Sequence, residues 1–263
     1  MTFLLSLLAF LCGRGFAAGQ DAKWQELFSK ETFRSPSGGE LLYRKLTPAK
    51  IEEGQKYPLV LFLHGAGERG NNNEAQLVHG MKDFAKRQAT YPAFVIAPQC
   101  PSGKKWVEVD WSGDRHTTPE KPSESMAMCR ELIDLLIKDL PIDTSRIYVT
   151  GLSMGGYGTF DAATRWPELF AAAAPVCGGG DDADSAIAKL KTVPLWIAHG
   201  DADRAVSVER SRAMVKALKA AGTEPHYVEM AKVEHDSWTA TYSSDEFHKW
   251  LFGQQRQAAP ANK

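Results

Sequence analysis

Ile147-Tyr148-Val149-Thr150 runs without a break into Gly151-Leu152-Ser153-Met154-Gly155, and then into Gly156-Tyr157-Gly158-Thr159-Phe160. The first four residues are β-branched or aromatic and read as a strand. A helix is expected after Gly155, so G-x-S-x-G falls on a strand-to-helix turn. So tight a turn brings the positions two before and two after the serine together, where side chains would clash. Both are glycine. The strain lifts the Ser153 hydroxyl above the sheet and points the Met154 amide toward a developing oxyanion. Ser153 is therefore the candidate nucleophile and Met154 a candidate oxyanion donor. A glycine-rich turn with a chance serine explains neither the strand before nor the helix after.

Other strand-like segments flank this one. Pro58–Leu63, Phe94–Ala97, Ala172–Val176, Leu195–Ala198 and Tyr227–Met230 are apolar at consecutive positions, as in strands covered on both faces. Leu41–Leu46 reads as a short strand entered through the turn at 35–39. Helical patterns lie between: Met126–Ile137 has an apolar side, a second helix opens at Ser207 and closes at Gly222, and a last one includes Phe247–Phe252. This alternation predicts an α/β fold with a mostly parallel central sheet and helices on both faces. The stretch Pro98–Ser125 has no such pattern and carries Trp106 and Trp111. It is expected to form a lid or pocket wall.

A serine hydroxyl needs a base, and the base needs a carboxylate to orient it. In this architecture the order is serine, acid, histidine. His226 begins a strand, His248 lies in the last helix, and His199 ends a strand where it would brace the following loop. His235, in Val233-Glu234-His235-Asp236-Ser237-Trp238, follows the last strand at the edge from which an imidazole reaches Ser153. For the acid, Gly200-Asp201-Ala202-Asp203 leaves the preceding strand at the same edge. Physical reasoning does not separate Asp201 from Asp203, and the unused one would serve a turn. Residues 65–70, Gly-Ala-Gly-Glu-Arg-Gly, match the dinucleotide pattern G-x-G-x-x-G literally, yet Asn71-Asn72-Asn73 follows in place of a helix. A better use of that turn is a second oxyanion amide, from Ala66.

Taken together, LHGAGERG (63–70), APQCP (97–101), GLSMGGYGT (151–159), HGDADRAV (199–206) and EHDSW (234–238) resemble the α/β-hydrolase superfamily. Within it they are similar to serine esterases of the poly(hydroxyalkanoate) depolymerase-like and feruloyl-esterase-like, carboxylesterase/phospholipase-type group; prolyl oligopeptidases are more distant. The resemblance implies Ser153 as nucleophile, His235 as base, Asp203 as acid, and Met154 with Ala66 as oxyanion donors. It further implies a carboxylic-ester hydrolase working through an acyl-enzyme, without metal or organic cofactor, on a small-molecule or polysaccharide-linked ester such as a feruloyl or acetyl group. Arg204-Ala205 departs from the commonest family pattern, where bulkier residues or proline stand. Trp106, Trp111 and Trp238 are candidate substrate-binding residues, with loop sealing as their plainer role. Cys177–Asp181 follows a strand at the same edge, as pocket lining or a turn. A peptidase and a catalytically idle binding module on this scaffold are the rival readings.

The chain's 263 residues fit two small domains or one large one. No Pro/Gly/Ser-rich linker divides it, so residues 20–253 are expected to form one catalytic domain. With 31 Lys+Arg against 32 Asp+Glu, it lacks the basic excess of a nucleic-acid binder. Phe3–Leu11 is too short for a span and suits a signal-peptide apolar region, with Ala17 and Gly19 offering a cleavage site; residues 1–19 read as a signal peptide, which implies a secreted or periplasmic protein with no stable membrane span. No Lys or Arg precedes that apolar run, as a signal normally requires. Cys100, Cys129 and Cys177 show no metal-ligand spacing and read as small buried hydrophobes. Residues 254–263 read as a polar flexible tail.

Overall fold

The computed structural model describes residues 24–256. The expected signal segment therefore lies outside the described residues. Eight strands form one sheet: β1 (Phe28–Arg34), β2 (Glu40–Leu46), β3 (Tyr57–Leu63), β4 (Phe94–Pro98), β5 (Ile142–Leu152), β6 (Ala172–Val176), β7 (Trp196–Gly200) and β8 (His226–Met230), in the order β1-β2-β4-β3-β5-β6-β7-β8. β1 and β2 pair antiparallel, as do β2 and β4; the pairings from β4 across to β8 are parallel. Helices α1 (Met81–Lys86), α2 (Glu124–Asp139), α3 (Met154–Arg165), α4 (Asp184–Leu190), α5 (Glu209–Ala220), α6 (Ser237–Ser243) and α7 (Asp245–Gly253) complete the fold.

The consecutive apolar residues of β3 divide by strand periodicity. Leu59, Leu61 and Leu63 enter a core with α2, α3, α4 and α5. Val60 and Phe62 enter the opposite core with Met81 and Phe84 of α1, Tyr242 of α6, and Phe247 and Leu251 of α7. Every residue of β3 is buried, which is why its sequence shows no polar alternation. Truncating so central a side chain as Phe62 to alanine costs about 3–5 kcal/mol.

Both ends of the fold differ from the sequence expectation. β1, Phe-Ser-Lys-Glu-Thr-Phe-Arg, buries only Phe28 and Phe33. It is an edge strand paired on one side, so polar residues suit it and no apolar run marks it. The polar tail does not begin at Gln254. The Tyr148 hydroxyl donates to the Gln254 carbonyl at 2.7 Å, and the Arg256 amide donates to the Ser145 carbonyl at 2.8 Å. Residues 254–256 are thus tied to β5, and the remainder lies outside the described residues.

Candidate active site

At the β5–α3 junction the glycines are a steric requirement. A Cβ on Gly151 would lie 2.5 Å from the Leu63 carbonyl oxygen and 2.6 Å from that of Gly155, and a Cβ on Gly155 would overlap the Leu63 carbonyl outright. Between them Ser153 adopts φ 53°, ψ −118°, a backbone strain of about 1–3 kcal/mol that the surrounding packing must hold. Its amide donates to the Val176 carbonyl at 3.0 Å, fixing the turn to β6.

Ser153 Oγ lies 2.9 Å from His235 Nε2, and His235 Nδ1 lies 2.7 Å from Asp203 Oδ2. Asp203 Oδ1 accepts the Ala205 amide at 2.8 Å and the Val206 amide at 2.9 Å. Burial opposes ionisation of Asp203, but bonds from His199, His235 and those two amides outweigh it and hold its carboxyl well below the usual range. An ionised Asp203 takes the Nδ1 proton of His235 as its hydrogen-bond donor. That leaves Nε2 free to accept the proton of Ser153.

His199 acts on the same carboxylate from the other side. It is fully buried, with Nδ1 2.7 Å from Ser211 Oγ and Nε2 3.0 Å from the Val206 carbonyl and 3.3 Å from Asp203 Oδ2. The expected bracing of the loop is what the geometry provides. Asp201 points away: its Oδ1 accepts the Lys232 amide at 2.6 Å. Together with the Ala202 amide to the Val233 carbonyl at 3.0 Å, this stitches the Asp203 loop to the His235 loop. Gly200 is required there, since a Cβ would overlap the Val233 carbonyl.

The turn after β3, where the sequence singled out Ala66, is held by a residue it did not single out, His64. Gly65–Glu68 turns beneath Ser153, and a Cβ on Gly65 would stand 2.9 Å from Leu152 Cδ1 and 3.6 Å from Ser153 Cβ. Buried His64 bridges this turn, taking the Cys100 amide on Nε2 at 2.9 Å and reaching the Gly65 carbonyl from Nδ1 at 2.6 Å. Burial pushes its pKa down to about 4, so the ring is neutral and Nδ1 carries the donated proton. Ala66 precedes this turn's first bond and Met154 is the first residue of α3; neither amide has an acceptor among the described residues.

The three tryptophans do not act alike. Trp106 is 0 % exposed, lies against Gly158, and donates Nε1 to the His64 carbonyl at 2.9 Å. It supports the His64–Gly65 turn and presents no face to a substrate, which corrects the expectation of a binding residue there. Trp111 is half-buried beside Tyr157, with ring centroids 6.3 Å apart. Trp238 stands edge-on to His235 at 5.3 Å and beside His79 at 5.1 Å, so it alone of the three flanks the candidate base. Cys177–Gly180 is buried against α3, where a Cβ on Gly156 would meet the Val176 carbonyl at 2.5 Å and Gly178 Cα at 3.0 Å.

Cys177, Asp203 and His235 place ligand atoms within 4.8 Å of one another. A metal there would need the Cys177 thiolate, yet burial pushes that thiol far up. It would also need the His235 nitrogen whose proton Asp203 holds. The donor set suits a proton relay better than a cation. Cys100, Cys129 and Cys177 are all buried thiols. A cavity of about 620 Å³ lined by Arg115, Asp182, Glu209 and Arg212 contains none of the three hydrogen-bonded residues, and its charged, open walls offer no nucleophile.

The strand order, the strained serine turn and the three-residue hydrogen-bond chain define an α/β-hydrolase. The model of the phospholipase/carboxylesterase family matches residues 48–244, and the chain belongs to that family. It is 32% identical over 128 residues to poly(3-hydroxyalkanoate) depolymerase C of Paucimonas lemoignei, covering 46% of this chain and 28% of that protein. It is 33% identical over 160 residues to a bifunctional acetylxylan esterase/xylanase of Neocallimastix patriciarum, covering 60% of this chain and 21% of that protein. The chain thus spans well under half the length of these relatives. A solved structure described as a thermostable esterase superposes with a TM-score of 0.81 at 40% identity, covering 89% of this chain and 64% of that one. A ferulic acid esterase with a TM-score of 0.65 and 17% identity, covering 86% of this chain and 97% of that one, shares the fold. No helix among the described residues is long and apolar enough to cross a membrane.

Proposed function

We propose that the protein is a serine carboxylesterase that acts through Ser153, His235 and Asp203. The observation that carries this reading is the continuous chain Ser153 Oγ–His235 Nε2 and His235 Nδ1–Asp203 Oδ2, at 2.9 and 2.7 Å. Ser153 Oγ attacks the ester carbonyl carbon while its proton passes to His235 Nε2. The tetrahedral oxyanion is received by the Ala66 and Met154 amides, helped by the positive end of α3. As the C–O bond breaks, His235 returns the proton to the departing alcohol oxygen and the acyl group remains on Ser153. Water then attacks by the same route and releases the carboxylic acid. Asp203 holds the imidazole in the required tautomer throughout.

Ser153→Ala is expected to lower kcat for 4-nitrophenyl acetate by about 10⁴-fold or more and to abolish labelling by a fluorophosphonate probe. Activity retained by that variant would overturn the assignment. The substrate class proposed is an acetyl or feruloyl ester on a polysaccharide, supported by relatives named acetylxylan esterase. Acetate release from acetylated xylan and hydrolysis of methyl ferulate test it. Residues 20–253 form the catalytic domain in this reading, with residues 1–19 as an export signal. N-terminal sequencing of exported protein that begins near Gln20 would support the signal; an intact Met1 would refute it.

A further inference from the structure

Arg210, in the first turn of α5, is 3 % exposed. Its Nε donates to the Tyr157 hydroxyl at 3.2 Å and its Nη2 to the Asp110 carbonyl at 3.4 Å, while buried Nη1 has no acceptor among the described residues. The carboxylates nearby are committed elsewhere: Asp110, whose charge reaches the guanidinium, accepts the Ser112 amide and hydroxyl. Glu209 and Glu229 pair with Arg212, Asp182 pairs with Arg115, and Asp181 accepts the Thr118 and Ala183 amides. A buried guanidinium without a bonded carboxylate is costly for a fold to carry.

Two more unpartnered polar atoms lie around the same ring. Trp111 Nε1, which can only donate, and His116 Nδ1 are buried without partners among the described residues. Both side chains flank Tyr157, with ring centroids 6.3 and 5.6 Å from it, and the Arg210 guanidinium carbon stands 5.2 Å from the same centroid. Tyr157 is one turn of α3 beyond Ser153, and Val206, packed in the same cluster, gives its amide to Asp203. The cluster therefore abuts the candidate triad.

We propose that Arg210, Trp111 and His116 form a carboxylate subsite beside Ser153, which receives an anionic group carried by the ester substrate. Arg210 Nη1–H and Trp111 Nε1–H supply one donor to each carboxylate oxygen, and the guanidinium supplies the compensating charge. His116 is kept neutral by burial and by the Arg210 charge, its pKa pushed down to about 4, so it donates or accepts according to its tautomer. Entry requires residues 110–118 to lift. They carry no helix or strand and are held to the rest of the fold by the Arg115–Asp182 pair, the Thr118 amide on Asp181 Oδ2 at 2.7 Å and the long Arg210 bond to the Asp110 carbonyl.

This inference rests on the Ser153 esterase reading, and the experiment separates the two. Hydrolysis by the full chain is followed by pH-stat for two matched pairs: monomethyl succinate against methyl butyrate, with the carboxylate on the acid side, and acetoxyacetate against acetoxyacetamide, with it on the alcohol side. The expected result is a kcat/KM preference of about tenfold or more for the anionic member of one pair, carried mainly by KM, since bonds to charged groups are the strong ones. Which pair shows it assigns the subsite to the acid or the alcohol side. Arg210→Gln should erase the preference. Trp111→Phe keeps the ring and removes the donor, so it should reduce the preference even if Arg210→Gln fails to fold. Equal rates within both pairs, or a preference that Trp111→Phe leaves intact, overturns the subsite. Loss of the esterase reading looks different: neutral esters would then survive Ser153→Ala.

Discussion

Two regions lean on the same helix, α3, and are built in opposite ways. Around Ser153 backbone meets backbone at contact distance, and the polar atoms of Asp203, His235 and His199 have partners. One turn further on, beneath residues 107–118, Arg210 Nη1 and Trp111 Nε1 have none, and the covering chain has neither helix nor strand. A site that must hold reacting atoms within a few tenths of an ångström gains from the first construction. A region that must admit a variable group gains from the second. Packing around the serine is therefore expected to tolerate almost nothing, and the loop a good deal.

The sharpest break between them comes from one methyl group. Gly155→Ala forces a Cβ into the Leu63 carbonyl, whereas a Cβ on Gly113 in the loop meets only the Arg115 carbonyl, at 3.5 Å. Gly155→Ala should lower unfolding free energy by about 3 kcal/mol or more, or abolish soluble protein, while Gly113→Ala should stay within about 0.5 kcal/mol. Urea denaturation of both measures the difference. Next in size are the two aspartates. Asp203→Asn replaces the acceptor of the His235 proton with an amide and should lower kcat by about 10³–10⁴-fold. Asp201→Asn keeps an oxygen for the Lys232 amide and should leave kcat nearly unchanged. Similar losses in both would mean that the stitched loops act as one unit.

A smaller effect is expected one bond further out. Ser211→Ala removes the hydroxyl on His199 Nδ1, loosening the ring that flanks Asp203. A fall in kcat of about tenfold, with KM retained, corresponds to the loss of one buried hydrogen bond. A change confined to stability would make His199 a packing residue.

These regions also differ in how far they could be read from the chain. The serine turn was legible because its constraint is local: glycines two positions either side of Ser153 clash with backbone that any such turn brings close. β3 and β6 were legible because both faces are covered, so their residues are uniformly apolar. β1 was not, since an edge strand needs little burial. Asp201 and Asp203 stayed equivalent in the sequence because what separates them is a bond to Lys232, thirty-one residues away. Arg210 was invisible for a stronger reason. An arginine early in an amphipathic helix reads as a solvated charge, and only the loop from residues a hundred positions earlier buries it.

Acid titration gives the finest probe of the contrast. His64 and His248 are buried, with pKa values pushed down to about 4 by burial, against an ordinary 6.5. The fold favours their neutral form, so the unfolded chain binds protons first as pH falls. Their stabilising contribution is whole above about pH 6.5 and drains toward pH 4, at up to about 1.4 kcal/mol per pH unit for each ring. Below pH 4 both states are protonated and that loss ends. His116 carries the same depressed value, about 4, but sits in the loop. It can take its proton when residues 110–118 lift, without unfolding the sheet. Trp111 fluorescence, obtained as wild type minus Trp111→Phe, should therefore change at a higher pH than the far-ultraviolet circular dichroism, and His116→Asn should remove the early step. If the Trp111 signal moves only with global unfolding, the loop is part of the rigid body, and the unpaired donors beneath it are closed to any ligand.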